Sequence, residues 1–213
     1  MYRLLPLVLV LLAACGSNGP RYLLDRAPVD EAAKTRVKAG TLEVMDVSLP
    51  TYAEDAEIMV EDGNGALSPV KNALWADDPG RAITQLLVDQ IGRTSTATTA
   101  AEPWPLESPP QAAVHVRVSE MVASASGSFD LRGQFAISSY GYVVRERIEP
   151  FAVSVPLADT KPGTIAAAIL IGMSDGLLSV FFSPTAAKIF STLLVAFVLV
   201  FKPEGLFGRS NRV

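Results

Sequence analysis

Three regimes of hydrophobic and polar residues follow one another along this chain. A short apolar run, Leu4–Ala14, follows a single positive charge at Arg3. A long middle stretch then switches between a two-residue period and a three-to-four-residue period. From Pro162 onward the chain is almost wholly apolar. Each period predicts its own structure, because a strand buries every second residue and a helix every third or fourth.

In the middle stretch, Tyr22-Leu23-Leu24-Asp25 predicts a first strand. Thr41–Val47 predicts a second, with Leu42 and Val44 on one face and Glu43 on the other. The charged segment between them, residues 31–38, reads as loop or a weak helix. Leu49-Pro50-Thr51-Tyr52 ends the second strand. Glu57–Glu61 and Ala66–Lys71 flank Asp62-Gly63-Asn64-Gly65, which is hairpin chemistry because Gly and Asn tolerate positive φ. Asp77-Asp78-Pro79 predicts a helix N-cap followed by Pro in the first turn. Ala82, Ile83, Leu86, Leu87 and Ile91 then recur at helical spacing, and Gly92 sits where the helix is expected to stop. The stripe is one face wide, so the helix packs on a sheet and exposes Arg81, Gln85 and Asp89. Thr94–Gln111, rich in Thr, Ala, Ser and Pro and carrying Trp104, reads as a long loop.

Three alternating segments follow. Val114, Val116 and Val118 oppose His115, Arg117 and Ser119. Phe129, Leu131, Phe135 and Ile137 oppose Asp130, Arg132, Gln134 and Ser138, and Phe151, Val153 and Val155 alternate again. The short joints at Ser124–Gly127 and Ser139-Tyr140-Gly141 predict a meander. The expected fold class is α+β: an antiparallel sheet with helices packed on one face, followed by a hydrophobic helical hairpin. In that hairpin Gly163–Phe182 carries one charge, Asp175, and Ala186–Phe201 carries one, Lys188, with Ser183-Pro184-Thr185 dividing them. The first is long enough to span a bilayer and the second is marginal. Two alternatives stand beside two spans: a pair of buried helices, or a packed first helix with only the second crossing.

The N-terminal apolar run is too short to cross a hydrocarbon core of roughly 30 Å as a helix. It ends Leu12-Ala13-Ala14-Cys15-Gly16, which resembles the lipobox of bacterial lipoproteins. That resemblance implies a signal peptide cut before Cys15, a diacylglycerol on the Cys15 thiol and an acylated new N-terminus. Acyl chains at about 0.8 kcal/mol per buried methylene hold a protein durably on a membrane. An ordinary signal peptide with an incidental cysteine is the alternative. Cys15 is the only cysteine in the chain, so no disulfide framework is available. Gly16-Ser17 lacks an Asp after the cysteine, which by resemblance to lipoprotein sorting in Gram-negative bacteria implies the outer membrane, or the inner membrane if the tail spans. The organisation expected is a signal peptide over 1–14, lipidated Cys and tether over 15–40, a domain over 41–162 and a hydrophobic tail over 163–213.

Charge and chemistry narrow the function. A formal net charge of −4 argues against nucleic acid as a partner. His115 is the only histidine, and no nucleophile motif accompanies it, so it reads as a sheet-surface residue. Asp77-Asp78 is explained by capping, and no His or Cys cluster supplies further metal ligands. Gly63-Asn64-Gly65 reads as a turn, since no Lys or strand-to-helix context makes it a phosphate loop. Trp75 reads as a core anchor ahead of the helix, with a binding aromatic as the alternative. The expectation is no enzyme, no catalytic residue, no cofactor and no metal.

The order of lipobox, Tyr22-Leu23-Leu24, Leu49-Pro50-Thr51-Tyr52, Trp75, capped helix and three strands resembles the ABC-type transport auxiliary lipoproteins, the PqiC-like group, over roughly Met1–Ala168. That resemblance implies a membrane-anchored accessory protein of an MCE-type intermembrane lipid-transport system that contributes to envelope integrity. It implies MCE-type or other ABC transport subunits as partners, contact with the membrane through the lipid anchor and through the C-terminal helices, and an amphipathic helix after Pro162. The tail carries a second resemblance. Ile171-Gly172-Met173, Phe182-Ser183-Pro184 and the ending Val200–Gly208 look like the C-terminus of branched-chain amino-acid ABC transporter permeases. This implies an alternative, a permease subunit or fragment, and a chimeric reading frame joined near residue 165. Lys202, Arg209 and Arg212 add a topological conflict, because they favour a cytoplasmic end whereas a signal peptide and two spans leave that end outside.

Overall fold

The computed structural model of the chain describes residues 19–24 and 34–181, with side chains as far as Ser174. Strands β6 (Ala112–Ser124), β7 (Ser128–Ser139) and β8 (Arg147–Pro156) form the expected antiparallel meander. Alternation works as the sequence predicts. Val114, Val116, Val118, Phe129, Leu131 and Phe135 are buried on one face, while His115, Arg117, Ser119 and Arg132 are exposed on the other.

The longest strand, β6, organises the rest. One edge pairs with β7 along its length, and the other is shared between two parallel partners. β2 (Thr41–Val44) pairs at its start, Leu42 opposite Ala112 and Val44 opposite Val114. β3 (Glu57–Glu61) pairs at its end, Val60 opposite Ala123. β5 (Thr98–Ala101) then extends β2, while β4 (Leu67–Trp75) and β1 (Arg21–Tyr22) extend β3. The sheet is therefore mixed, a correction to the antiparallel sheet expected. A strand's alternation reports which faces are buried and is silent on the direction of its neighbour.

The gap between the two parallel partners is filled by the Leu49-Pro50-Thr51-Tyr52 motif. Ser48 continues the pairing, donating to Val116 O (3.1 Å) and accepting from Val118 N–H (2.8 Å). Leu49 is buried, and Pro50 O accepts the Ala53 N–H to start the one-turn helix α1 (Thr51–Glu54). Tyr52 Oη then accepts the Met121 N–H at 3.1 Å. β2 itself ends at Val44, short of the expected Val47, and Ser48 with the motif supplies partners to a strand edge that neither neighbour reaches.

Helix α2 (Pro79–Thr94) starts as predicted: Asp78 Oδ1 accepts the Arg81 N–H at 2.7 Å and Pro79 occupies the first turn. It does not stop at Gly92. It runs to Thr94 and is closed by the Ser95 N–H on Ile91 O. A Cβ at Gly92 would stand 2.7 Å from Thr99 Oγ1. That glycine serves the close approach of β5, a strand inside the segment expected to be loop. β5 is built of Thr and Ala, residues too small to leave an apolar signature. The first strand is shorter than expected, and Leu23 beyond it is 71% exposed. Glu43 does face away from Leu42 and Val44, but it is buried there, opposite Ala100 and Ala113.

Helix α3 (Pro162–Phe181) replaces the expected first span. Ile165, Ala166, Ala168, Ile169 and Met173 are buried at helical spacing in the same core as Phe129 and Leu131. Gly172 lies against Leu131, whose Cδ2 would be 3.2 Å from an added Cβ. Ser174 Oγ also exchanges hydrogen bonds with the Gln90 amide of α2, so both helices cover one face of the sheet, as expected. Among the described residues no helix is long and apolar enough to cross a membrane. The junction expected near residue 165 falls inside this packed stripe, with Ile165 and Ile169 in one core, so the chimeric reading finds no support. Ala186–Phe201, the permease-like ending, the signal peptide and Cys15 lie outside the described residues.

Candidate interaction surface

Among the described residues no helix covers the outer face of β6–β7–β8, which is lined by polar side chains. His115 Nε2 lies 3.1 Å from Ser138 Oγ. Arg132 Nε pairs with Glu120 Oε2 at 3.6 Å, both side chains well exposed, so the pair adds little to stability. This is the sheet-surface setting expected for His115.

At the β7–β8 end the polar face gives way to exposed apolar groups. Tyr142 is 94% exposed, Ile148 68% and Tyr140 49%. The tyrosines sit on the hairpin tip, where Tyr140–Tyr142 forms a single 3-10 turn, and Ile148 stands near the start of β8, opposite Ala136. Gly141 and Tyr142 both have positive φ, 77° and 60°, a conformation an L-residue other than Gly or Asn rarely takes. The tip is nonetheless well held. Ser139 N–H donates to Glu146 Oε1 (3.0 Å), and Val144 N–H donates to Ser139 Oγ (3.1 Å). Tyr140 N–H donates to Gln111 O (2.9 Å). Gln111 in turn accepts the Gly40 N–H on Oε1 (2.6 Å) and donates its N–H to Thr41 Oγ1 (3.0 Å). One residue thus ties the tip to the starts of β2 and β6. The loop that leads into Gln111 carries Leu106, 57% exposed, and Trp104, whose Nε1–H donates to Ser108 O at 2.8 Å.

Other residues singled out in the sequence take structural places. Trp75 is buried in the core and its N–H donates to Ala56 O at 2.7 Å. Asp78 caps α2, and the Arg81 guanidinium on Asp77 holds that carboxyl below its ordinary value. Asp62 Oδ1 accepts the N–H groups of Asn64 and Ala66, both at 2.9 Å, to close the β3–β4 turn. Those backbone donors, Ala66 first, lower its pKa. Among the described residues no group of three or more His, Cys, Asp and Glu side chains is arranged to hold a metal ion. Sequence reasoning read Ser139-Tyr140-Gly141 as a joint and missed the tip as a surface. The available signal was a pair of tyrosines flanking a glycine in a turn too tight to bury them.

A family model described as "ABC-type transport auxiliary lipoprotein component" matches residues 22–175. The match passes through residue 165 and ends within α3. No curated protein matches the sequence. Two solved structures share the fold. One, an uncharacterized protein, has a TM-score of 0.58 at 15% identity, covering 76% of this chain and 96% of its own. The other, protein XCC0632 from Xanthomonas campestris, of the family DUF330, has a TM-score of 0.51 at 14% identity, covering 87% of this chain and 95% of its own.

Proposed function

The chain belongs to the family of ABC-type transport auxiliary lipoprotein components, and from that premise we propose that it is a non-enzymatic, lipid-anchored accessory protein of an MCE-type intermembrane lipid-transport system. The observation that carries the reading is the family match over residues 22–175, which starts at Tyr22 in β1 and takes in all of β2–β8, α1 and α2. The lipobox ending at Cys15 supports it from the opposite direction, since it supplies the lipoprotein half of the description. In this reading residues 1–14 are removed, Cys15 carries diacylglycerol, and the mature protein faces the periplasm from the outer membrane. The domain acts by binding transport subunits and so helps maintain the envelope.

The test is made in cells. Radiolabelled palmitate is expected to label the protein and to be lost in Cys15→Ser. A tagged wild-type chain, solubilised in mild detergent, is expected to bring down an MCE-type subunit, and deletion is expected to sensitise cells to detergent. Recovery of an unlipidated protein from the cytoplasm would overturn the reading.

A further inference from the structure

We infer that the outer side of the β1–β4 edge, with Arg21, Leu23 and Lys71, rests on the phospholipid leaflet that holds the lipid anchor. The inference deepens the reading above, since it rests on the lipidated Cys15 proposed there.

Chain length carries it. Gly19 packs on β4, where an added Cβ would stand 2.7 Å from the Asn72 carbonyl carbon. Cys15 is four residues earlier, so its Cα lies at most ~14 Å from that of Gly19. Strand β6 alone, with 13 residues, is roughly 40 Å long. β1 and β5 close opposite ends of the strand order. The anchor therefore ties down one edge of the sheet, and the β1–β4 edge is the part of the domain held within a short reach of lipid.

Alternation selects the side. β1 pairs in parallel with the far end of β4, Arg21 opposite Leu74 and Tyr22 opposite Trp75. Tyr22 and Leu24 pack on the apolar core that holds Trp75. Arg21 and Leu23 take the other side, Arg21 exposed and Leu23 71% exposed. Lys71 is exposed as well, next to the Asn72 that Gly19 packs on. Neither cation makes an ion pair among the described residues. Glu57 stands on the next strand, opposite Leu74, so the row holds two cations to one carboxylate. One exposed leucine on a free surface calls for no partner. Here it stands four residues past Gly19, on the segment that the tether keeps at the lipid. A leucine at the headgroup boundary, with basic side chains reaching the phosphates, is how a polypeptide lies on a leaflet. The chain's own apolar segment over 186–201 is the competing cover for Leu23, and the test separates it from lipid.

The experiment uses the lipidated full-length chain in phosphatidylethanolamine–phosphatidylglycerol vesicles, with nitroxide-labelled phospholipid as the quencher. Lipidation consumes the thiol of Cys15, the chain's only cysteine. Leu23→Cys, Lys71→Cys, Glu107→Cys and Tyr142→Cys therefore each add one site for the same fluorophore. Quenching at 23 and 71 is expected to be several-fold greater than at 107, in the loop after β5, or at 142. A benzophenone side chain at 23 is expected to give phospholipid adducts. Equal quenching at all four positions, or more at 107 or 142 than at 23, would overturn the proposed face. On protein whose intact mass shows the diacylglyceryl group, that result leaves the anchor standing. Adducts from 23 to residues 182–201 and none to phospholipid would also overturn the face, in favour of the chain's own tail. An intact mass without lipid on Cys15 would overturn the anchor and this inference together.

Discussion

At Gly133 the lack of a side chain decides how two strand pairs fit. A Cβ there would stand 2.3 Å from Arg117 O and 2.7 Å from Phe151 Cζ, so β6, β7 and β8 all press on one point. The register of β6 against β7 shifts beside it, between Val118 and Glu120. Gly133→Ala is therefore expected to destabilise by about 1–3 kcal/mol, the usual cost of overpacking, seen as a lower denaturant midpoint at unchanged slope. Tyr52 makes the complementary case. Tyr52→Phe keeps the ring and removes the acceptor of the Met121 N–H, and is expected to cost about 1 kcal/mol. Faster hydrogen exchange at the Met121 amide is the specific readout, and unchanged exchange there would show that another acceptor takes over. Neither role was legible in the sequence. A glycine within an alternating segment and a tyrosine after a proline are visible there, but both roles depend on strands that pair with β6 from distant parts of the chain.

Among the elements, those read from local periodicity came through and those that depend on surroundings did not. α2 was legible because Asp78, Pro79 and the Ile83–Leu87–Ile91 stripe all act within one helix. β5 was not, because its Thr and Ala side chains mark a strand only once β2 lies beside it. For α3 the sequence leaves a span and a packed helix both open, because hydrophobicity reports that water is excluded and not what excludes it. Here the sheet does so, through Ile165, Ile169 and Met173. Ile169→Ala is accordingly expected to cost about 2–5 kcal/mol of folding stability, whereas a lipid-facing side chain would leave the domain's denaturation almost unchanged. The start of α3 adds a pH dependence. The Lys161 ammonium, then the Thr164 hydroxyl and the Lys161 N–H, hold the Asp159 carboxyl at about 2. Its folded value lies below its unfolded one, so the stabilisation is complete above the ordinary aspartate range of about 4 and is lost as pH falls toward 2. Carbon-detected titration of Asp159 is expected to give the low value, and Lys161→Ala is expected to raise it.

Over the whole molecule the sheet is forked, and the fork raises the question of whether the domain is one cooperative unit. β2–β5 and β3–β4–β1 attach to different ends of the same edge of β6, and neither group of strands pairs with the other. By strand pairing alone the two lobes could open separately. Packing argues otherwise, because one apolar core takes in Leu42 and Val44 from the first lobe, Ile58 and Trp75 from the second, and Ile83 and Ile169 from the helices across them. A core shared in this way makes loss of either lobe expose the other. Denaturant unfolding is thus expected to be a single transition. The two tryptophans report on opposite lobes, Trp75 ending β4 and Trp104 following β5. Fluorescence of Trp104→Phe, which leaves Trp75 as the sole tryptophan, should share its midpoint with far-ultraviolet circular dichroism of the same protein. An early transition in one probe alone would mean that the lobes are held by β6 pairing and not by the common core.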